Sequence, residues 1–183
     1  MRLLIATILT VLSMGATWAG IEVDPSLIVL VIRHGEKPSF GDNLTCQGEN
    51  RARQLPALLS KKYGKIERIY VPSLVSSENK TLHSRMFQTA TPTAIRYGLQ
   101  INSQFSSSEP DQVALSLMSQ RGTVLVVWNH SAIPKLVKSL GIVIPLWKDD
   151  DFDSILVISF PNGKALLTIE AQQISPSQEC FDR

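Results

Sequence analysis

The sequence predicts an α/β fold, a three-layer sandwich in which a central mixed, mostly parallel sheet is flanked by helices. Three observations carry it. Residues 27–32 and Thr123–Trp128 are apolar runs rich in Val, Leu and Ile, as strands buried on both faces are. Stretches of helical period alternate with such runs along the chain, the pattern of a parallel sheet. Near the end, residues 154–160 and 164–169 flank Pro161-Asn162-Gly163, and Asn-Gly between apolar runs signals a hairpin that adds an antiparallel edge.

The elements follow in order. Arg2, the apolar run 3–12 and the small residues leading to Ala19 have the layout of a secretory signal peptide over residues 1–19, with Thr17 and Ala19 where the peptidase tolerates only small side chains. The apolar run is shorter than the ~20 residues of a spanning helix, so the expectation is cleavage, no stable membrane insertion afterwards, and a periplasmic or secreted domain over 20–183. The first strand, 27–32, stops at Arg33-His34-Gly35-Glu36. After a loop with Pro38, Gly41 and Asp42, Thr45 caps a helix over 47–62 whose apolar face is Ala52, Leu55, Leu58 and Leu59, with Pro56 as a point where it can kink. A strand over 66–71 follows, and then a polar, Ser-rich segment over 72–84 that reads as an unusually long loop. Ser84–Tyr97 is helical in spite of Pro92 and stops at Gly98; 111–119 is the next helix. Thr123–Trp128 ends at Asn129-His130-Ser131, and a helix over 134–140 ends at Gly141.

Composition narrows the function. With 44% hydrophobic and 19% charged residues among 183, the chain has the balance of one ordinary folded domain. Lys and Arg total 18 against 16 for Asp and Glu, and no basic run alternates with aromatics, which argues against a nucleic-acid partner. The dense charge cluster, Asp149, Asp150, Asp151 and Asp153, is acidic and short. An even cysteine count in an exported chain invites a Cys46–Cys180 bridge, two free thiols being the alternative. There is no His-x-x-x-His and no Cys-x-x-Cys, and no cofactor or metal is expected.

Two buried strands each release a histidine at the carboxyl end, so a parallel sheet brings His34 and His130 to one rim, where open α/β sheets bind ligands. A phosphoryl group needs several fixed donors around one nucleophile. Arg33 and Arg85 are forked, permanently charged donors, and a neutral imidazole has a lone pair that can attack phosphorus.

In order and spacing, the chain resembles the histidine phosphatase superfamily. Arg33-His34-Gly35-Glu36 matches the signature after the first strand; Leu44-Thr45, Gly48 and Arg51-Ala52 match the helix start; Arg85 with Gln88-Thr89-Ala90 and Pro92 matches the second arginine motif; the run 124–127 leads to the second histidine, His130. A narrower resemblance is to bacterial members with an extended Arg-His-Gly-Glu-Lys-Pro signature, here 33–38, and with Trp147 and Asp151-Phe152-Asp153 near the end. Many of those have Trp-Glu-His where this chain has Trp128-Asn129-His130, which removes a carboxylate beside the site.

The resemblance implies that His34 is transiently phosphorylated while Arg33, Arg85 and His130 hold the phosphoryl oxygens, without a metal. It also implies a proton donor in the interval that holds Glu109 and Asp111; Glu109 is preferred over Asp111, and Glu36, outside that interval, is third. The function expected is a phosphomonoesterase acting on a small phosphorylated metabolite or envelope component. The rival is a binding module with a phosphatase fold that holds phosphate and turns over little. His83 reads as a solvated loop histidine, with reach to a substrate as the alternative, Asp153 as an arginine partner or a turn cap, and Ser131 lacks the Gly-x-Ser-x-Gly elbow of a serine nucleophile.

Overall fold

The computed structural model describes residues 22–77 and 80–180. In chain order these form β1 (Ile28–Arg33), α1 (Cys46–Tyr63), β2 (Ile66–Tyr70), β3 (Val75–Ser77), β4 (Lys80–Leu82), α2 (Ser84–Tyr97), β5 (Ile101–Asn102), α3 (Pro110–Met118), β6 (Thr123–Trp128), α4 (Ile133–Ser139), β7 (Ser154–Ser159) and β8 (Leu166–Ala171). Residues 1–19, expected to form a signal peptide, lie outside the described residues.

One six-stranded sheet has the order β5-β2-β6-β1-β7-β8. β5, β2, β6 and β1 run parallel, while β7 and β8 add the antiparallel edge. This is the α/β sandwich expected. The period-2 alternation of a strand divides the core cleanly. On β1, Leu30 and Ile32 face a layer with Leu55 and Leu59 of α1 and Met86, Ala90 and Ala94 of α2. Val29 and Val31 face the opposite layer, with Val113 and Leu117 of α3 and Leu136 and Val137 of α4. Because both faces are covered, every residue of β6 is buried, and that is why its sequence reads as a continuous apolar run rather than an alternating one.

Local chemistry explains the boundaries. The Thr45 side chain accepts from the Gly48 N–H at 3.2 Å and caps α1, which continues through Pro56. Gly98 ends α2 in the left-handed region, a conformation that suits glycine. The β7–β8 connection turns through Pro161–Gly163, with Asn162 and Gly163 at positive φ, as the Asn-Gly signal predicts. Two features were not foreseen. The segment expected to be loop throughout, 72–84, contains the antiparallel pair β3–β4, in which Val75, Ser76 and Lys80–Leu82 are exposed and so leave no burial pattern to read. β5 is too short at two residues for any period to show.

The tail returns to α1. Cys46 and Cys180 form a disulfide, and the Asn50 amide donates to the Ser177 and Glu179 carbonyls at 2.9 and 2.8 Å. With a sequence separation of 134 between its ends, the bridge removes much entropy from the unfolded chain. Replacing both cysteines with serine is expected to lower stability by about 2–4 kcal/mol, read as the denaturant midpoint of unfolding. A midpoint unchanged from the oxidised protein would show that the tail contacts alone hold this end.

Candidate active site

In-register pairing of β1 with β6, ending at Arg33 opposite Trp128, delivers the residues after both strands to one edge of the sheet. His34 follows β1, His130 lies two residues past β6, and their rings sit 6.5 Å apart, edge to face. A pocket of about 210 Å³ opens there, lined by His34, Lys37, Asp42, His83, Arg85, Asn129 and His130 among others. A larger cleft, about 1360 Å³, lies between α1 and α2 beside the disulfide, but it is lined by neither histidine. Chemistry rather than volume therefore marks the site.

Arg33 is 1% exposed. Its Nη1 donates to the carbonyls of Lys148, Asp149 and Asp151 at 3.2, 2.7 and 3.3 Å, and its guanidinium lies 3.9 Å from the Phe152 ring centroid. The opposite edge is different. Nε is buried without a hydrogen-bond partner, and Nη2 faces only the His130 Nδ1, at 3.4 Å. Burial pushes the guanidinium below its ordinary pKa, while Asp149, Asp151, Glu36 and Asp150 pull it back. The guanidinium thus keeps one donor unpartnered, at Nε, and a second that meets only an imidazole nitrogen, and a charged donor pair of this kind suits an oxyanion.

His34 is 2% exposed, and its Nδ1 lies 2.7 Å from the Gly35 carbonyl. Only a protonated Nδ1 can make that contact, so the neutral ring carries its lone pair on Nε2. Burial pushes the imidazole down to about 4, opposed by the Gly35 hydrogen bond and reinforced by the Arg33, Arg85 and His130 charges. The ring is therefore neutral at neutral pH, the form a nucleophile requires.

The surrounding motif residues hold this loop. Thr89 Oγ1 accepts from the Gly35 N–H at 2.9 Å, and Gln88 Oε1 accepts from the Leu44 N–H at 2.9 Å. Gly35 and Gly48 touch: a Cβ on Gly48 would lie 2.4 Å from the Glu36 carbonyl oxygen, and one on Gly35 would lie 2.8 Å from the Gly48 oxygen. No other residue type fits either position without moving the loop. Arg85 donates from Nε to the Asn43 carbonyl at 3.3 Å and from Nη2 to the Gly41 carbonyl, which aligns it along the pocket wall.

The structure thus brings His34, Arg33, Arg85 and His130 together. The carboxylates are placed otherwise. Glu109 Oε2 accepts from the Ser106 N–H at 2.8 Å and Asp111 from the Ser139 hydroxyl at 2.5 Å, and neither lines the pocket. Glu36 is held by Arg51, at 3.0 Å from Nε and 2.8 Å from Nη2, and Arg51 in turn reaches Asp153 at 3.3 Å, the arginine partnership open to Asp153 from sequence. The reading of His83 as a solvated loop residue is corrected: it lines the pocket, at positive φ, with Nδ1 2.7 Å from the Ser73 carbonyl and Nε2 3.3 Å from Ser107 Oγ. Asp149 was also missed as a site residue; its Oδ1 lies 2.8 Å from His130 Nε2. Among the described residues, no group of three or more His, Cys, Asp or Glu is arranged to hold a metal, and no helix is long and apolar enough to cross a membrane.

The sequence matches no family model and no curated protein. Its fold, however, is similar to solved structures. A phosphoserine phosphatase from Entamoeba histolytica, solved with phosphoserine and with 3-phosphoglyceric acid, aligns over 80% of this chain and 98% of its own, with TM-score 0.57 and 15% identity in each case. The protein histidine phosphatase SixA complexed with tungstate aligns over 79% of this chain and 97% of its own, with TM-score 0.54 and 17% identity. These likenesses show that the chain has the fold of the histidine phosphatases.

The depressed His34 pKa has a consequence for stability. Unfolding returns the imidazole to its ordinary value of 6.5, so between 6.5 and about 4 the unfolded chain binds the extra proton and the folded chain does not. The cost of keeping His34 neutral is absent above 6.5 and grows as pH falls, to about 3 kcal/mol below 4. Denaturation of the protein and of His34→Asn in parallel should show the variant gaining relative stability by that order as pH drops. A difference that stays constant across the range would mean the ring is not held neutral.

Proposed function

We propose that this chain is a histidine-type phosphatase, a phosphomonoesterase that hydrolyses a small phosphorylated metabolite or envelope component through a phosphohistidine on His34. The observation that carries the reading is the buried Arg33 guanidinium, whose Nε and Nη2 edge has no carboxylate or carbonyl partner and lies beside a neutral imidazole. A pocket of about 210 Å³ suits a small ester, and the solved neighbours hold phosphoserine, phosphoglycerate and tungstate.

In the proposed reaction the phosphoryl oxygens rest on Arg33, Arg85 and His130. His34 Nε2 attacks phosphorus in line, the bond to the ester oxygen breaks, and that oxygen takes a proton from an acid. Water then attacks the phosphohistidine, the nitrogen–phosphorus bond breaks, and phosphate leaves with the imidazole neutral again. Nδ1, held on the Gly35 carbonyl, fixes the ring through both steps. No step calls on a metal. Glu109 is proposed as the acid: Ser107, in the same short loop, touches the pocket residue His83, and the carboxylate must leave its Ser106 contact to act. That contact is also the observation that favours the rival, a phosphate-binding module with little turnover. Export is proposed from the layout of residues 1–19, and the Cys46–Cys180 bridge suits an oxidising compartment.

Phosphate release from a panel of phosphomonoesters, with and without chelator, is expected to be abolished by His34→Ala with the fold retained. Arg85→Ala should lower kcat/KM by about a hundredfold, since a lost charged donor in such a site removes ~3 kcal/mol of transition-state stabilisation. Full activity in the His34 variant would end the mechanism, and a mere doubling of KM in the Arg85 variant would end that residue's role.

Esters of aliphatic alcohols need protonation of the leaving oxygen, whereas p-nitrophenyl phosphate does not. Glu109→Gln should therefore slow the former far more than the latter, with Asp111→Asn nearly silent. The same split in Asp111→Asn alone would transfer the role to that residue; no split in either would favour the binding module.

A further inference from the structure

Residue 149 touches both donors of the proposed oxyanion site at once. Its carbonyl accepts from Arg33 Nη1 at 2.7 Å, and its carboxylate Oδ1 lies 2.8 Å from His130 Nε2. The backbone that makes these contacts is tied down around them. Lys148 and Asp151 give further carbonyls to the same Nη1, Trp147 Nε1 donates to the Asp151 carbonyl at 2.8 Å, and the Asp151 carboxylate accepts from the Asp153 and Ser154 N–H groups at 3.0 and 2.9 Å. The Asp149 side chain is 91% exposed, so its link to His130 does not arise from crowding.

The contacts define a tautomer. With Nε2 donating to Asp149, the neutral His130 ring presents the Nδ1 lone pair to Arg33 Nη2, 3.4 Å away. In that state His130 is an acceptor where an oxyanion needs a donor. An oxyanion between Arg33 and His130 takes the Nη2 hydrogen for itself, and Nδ1 can then contribute only if it gains a proton. The cation formed has a carboxylate already seated on its other nitrogen.

We propose that Asp149 is the positioning residue of His130, holding the Nε2 proton so that the ring takes a second proton from solvent onto Nδ1 when an oxyanion binds and presents it beside Arg33 Nη2. The inference rests on the reading of the pocket as a phosphoryl site. The charged and titratable groups facing His130 are Arg33 at the end of β1, His34 and Lys37 in the loop after it, and Asp149 in the segment before β7. Burial first, then Arg33 and Lys37, lower the affinity of the free ring for that proton, and Asp149 opposes them. Without its carboxylate the ring would face cations with nothing to offset them.

Asp149→Asn keeps the shape and the main-chain carbonyl on Arg33 while removing the charge. Sulfate is the probe, because it is a tetrahedral dianion whose charge does not change between pH 5 and pH 9, and Glu49→Gln, at a carboxylate of α1 that pairs with Arg53 and does not line the pocket, is the control. In the intact protein, sulfate affinity should fall with rising pH as His130 loses its second proton. Asp149→Asn should move that fall to lower pH and weaken binding at neutral pH by about threefold to fivefold, the range of an exposed ion pair. The His130 ring resonances should also titrate at lower pH in the anion-free variant, while Glu49→Gln changes neither.

Tighter sulfate binding in Asp149→Asn would overturn the inference and make the carboxylate an internal competitor for the anion. Unchanged affinity, pH limb and His130 titration would overturn it as well. If the unaltered protein binds sulfate at no pH, the phosphoryl reading of the pocket fails and the inference falls with it. Binding that the variant leaves intact removes the inference alone.

Discussion

A guanidinium buried at the end of the central strand is the constraint around which this molecule is arranged. Arg33 is 1% exposed, and a charge taken out of water is tolerated only where fixed dipoles and counter-charges answer it. The segment before β7 does this with three carbonyls on one nitrogen, the Phe152 ring beneath the plane, and the Asp149, Asp150 and Asp151 charges nearby. The same demand accounts for an irregular stretch being so firmly fixed. Its conformation is set by where its carbonyls must point rather than by a helix or a strand, and Asp151 and Trp147 lock that direction. Of what looks in sequence like a short acidic cluster, Asp149, Asp150 and Asp151 lie around one buried cation, while Asp153 pairs with Arg51.

Arg33 is answered on one edge only, and the asymmetry passes outward through the loop that follows. The chain that carries His34 is pressed against the start of α1, where Gly35 and Gly48 meet without side chains between them. Thr45 ties the same helix start to Glu36, accepting from Gly48 with its side chain and donating its N–H to the Glu36 carbonyl at 2.9 Å. α2 completes the frame from the other side, through Thr89 on Gly35 and Gln88 on Leu44. The residues of the motifs are therefore mostly not reactive groups. They are the contacts that hold one imidazole and one guanidinium edge in a fixed relation, and their spacing is that of two helix starts converging on one loop.

That division explains what could be read from the sequence. The strands β1 and β6 were legible because burial on both faces leaves apolar runs, and parallel pairing of two such runs dictates that His34 and His130 emerge together. Arg33 and Arg85 were legible as charges in the motifs beside them. The exposed pair β3–β4 was not, having no buried face to impose a period. His83 was missed because its place in the pocket depends on a left-handed backbone and on two partners from separate loops, Ser73 and Ser107. Asp149 was missed because its partner lies on another strand's end, a relation that no local pattern encodes. Glu109 was chosen from its interval in the chain, and an interval says nothing of where a carboxylate turns.

Asn129 shows how the charge near the second histidine is redistributed in this chain. The resemblance leads one to expect a carboxylate before His130, yet the amide here has structural partners: Asn129 Oδ1 accepts from the Ala132 N–H at 2.8 Å and the Ser131 hydroxyl at 2.9 Å, which shapes the turn into α4. An amide does not ionise, so position 129 offers His130 neither a counter-charge nor a proton. The counter-charge comes from across the ring instead, at Asp149, on the segment that already carries the carbonyls for Arg33. A carboxylate on that segment joins Arg33 and His130, the two donors proposed for an oxyanion, through one residue. The orientation of His130 then depends on the same backbone that compensates the buried guanidinium, so the strand-end arginine and the second histidine cannot be displaced independently of each other.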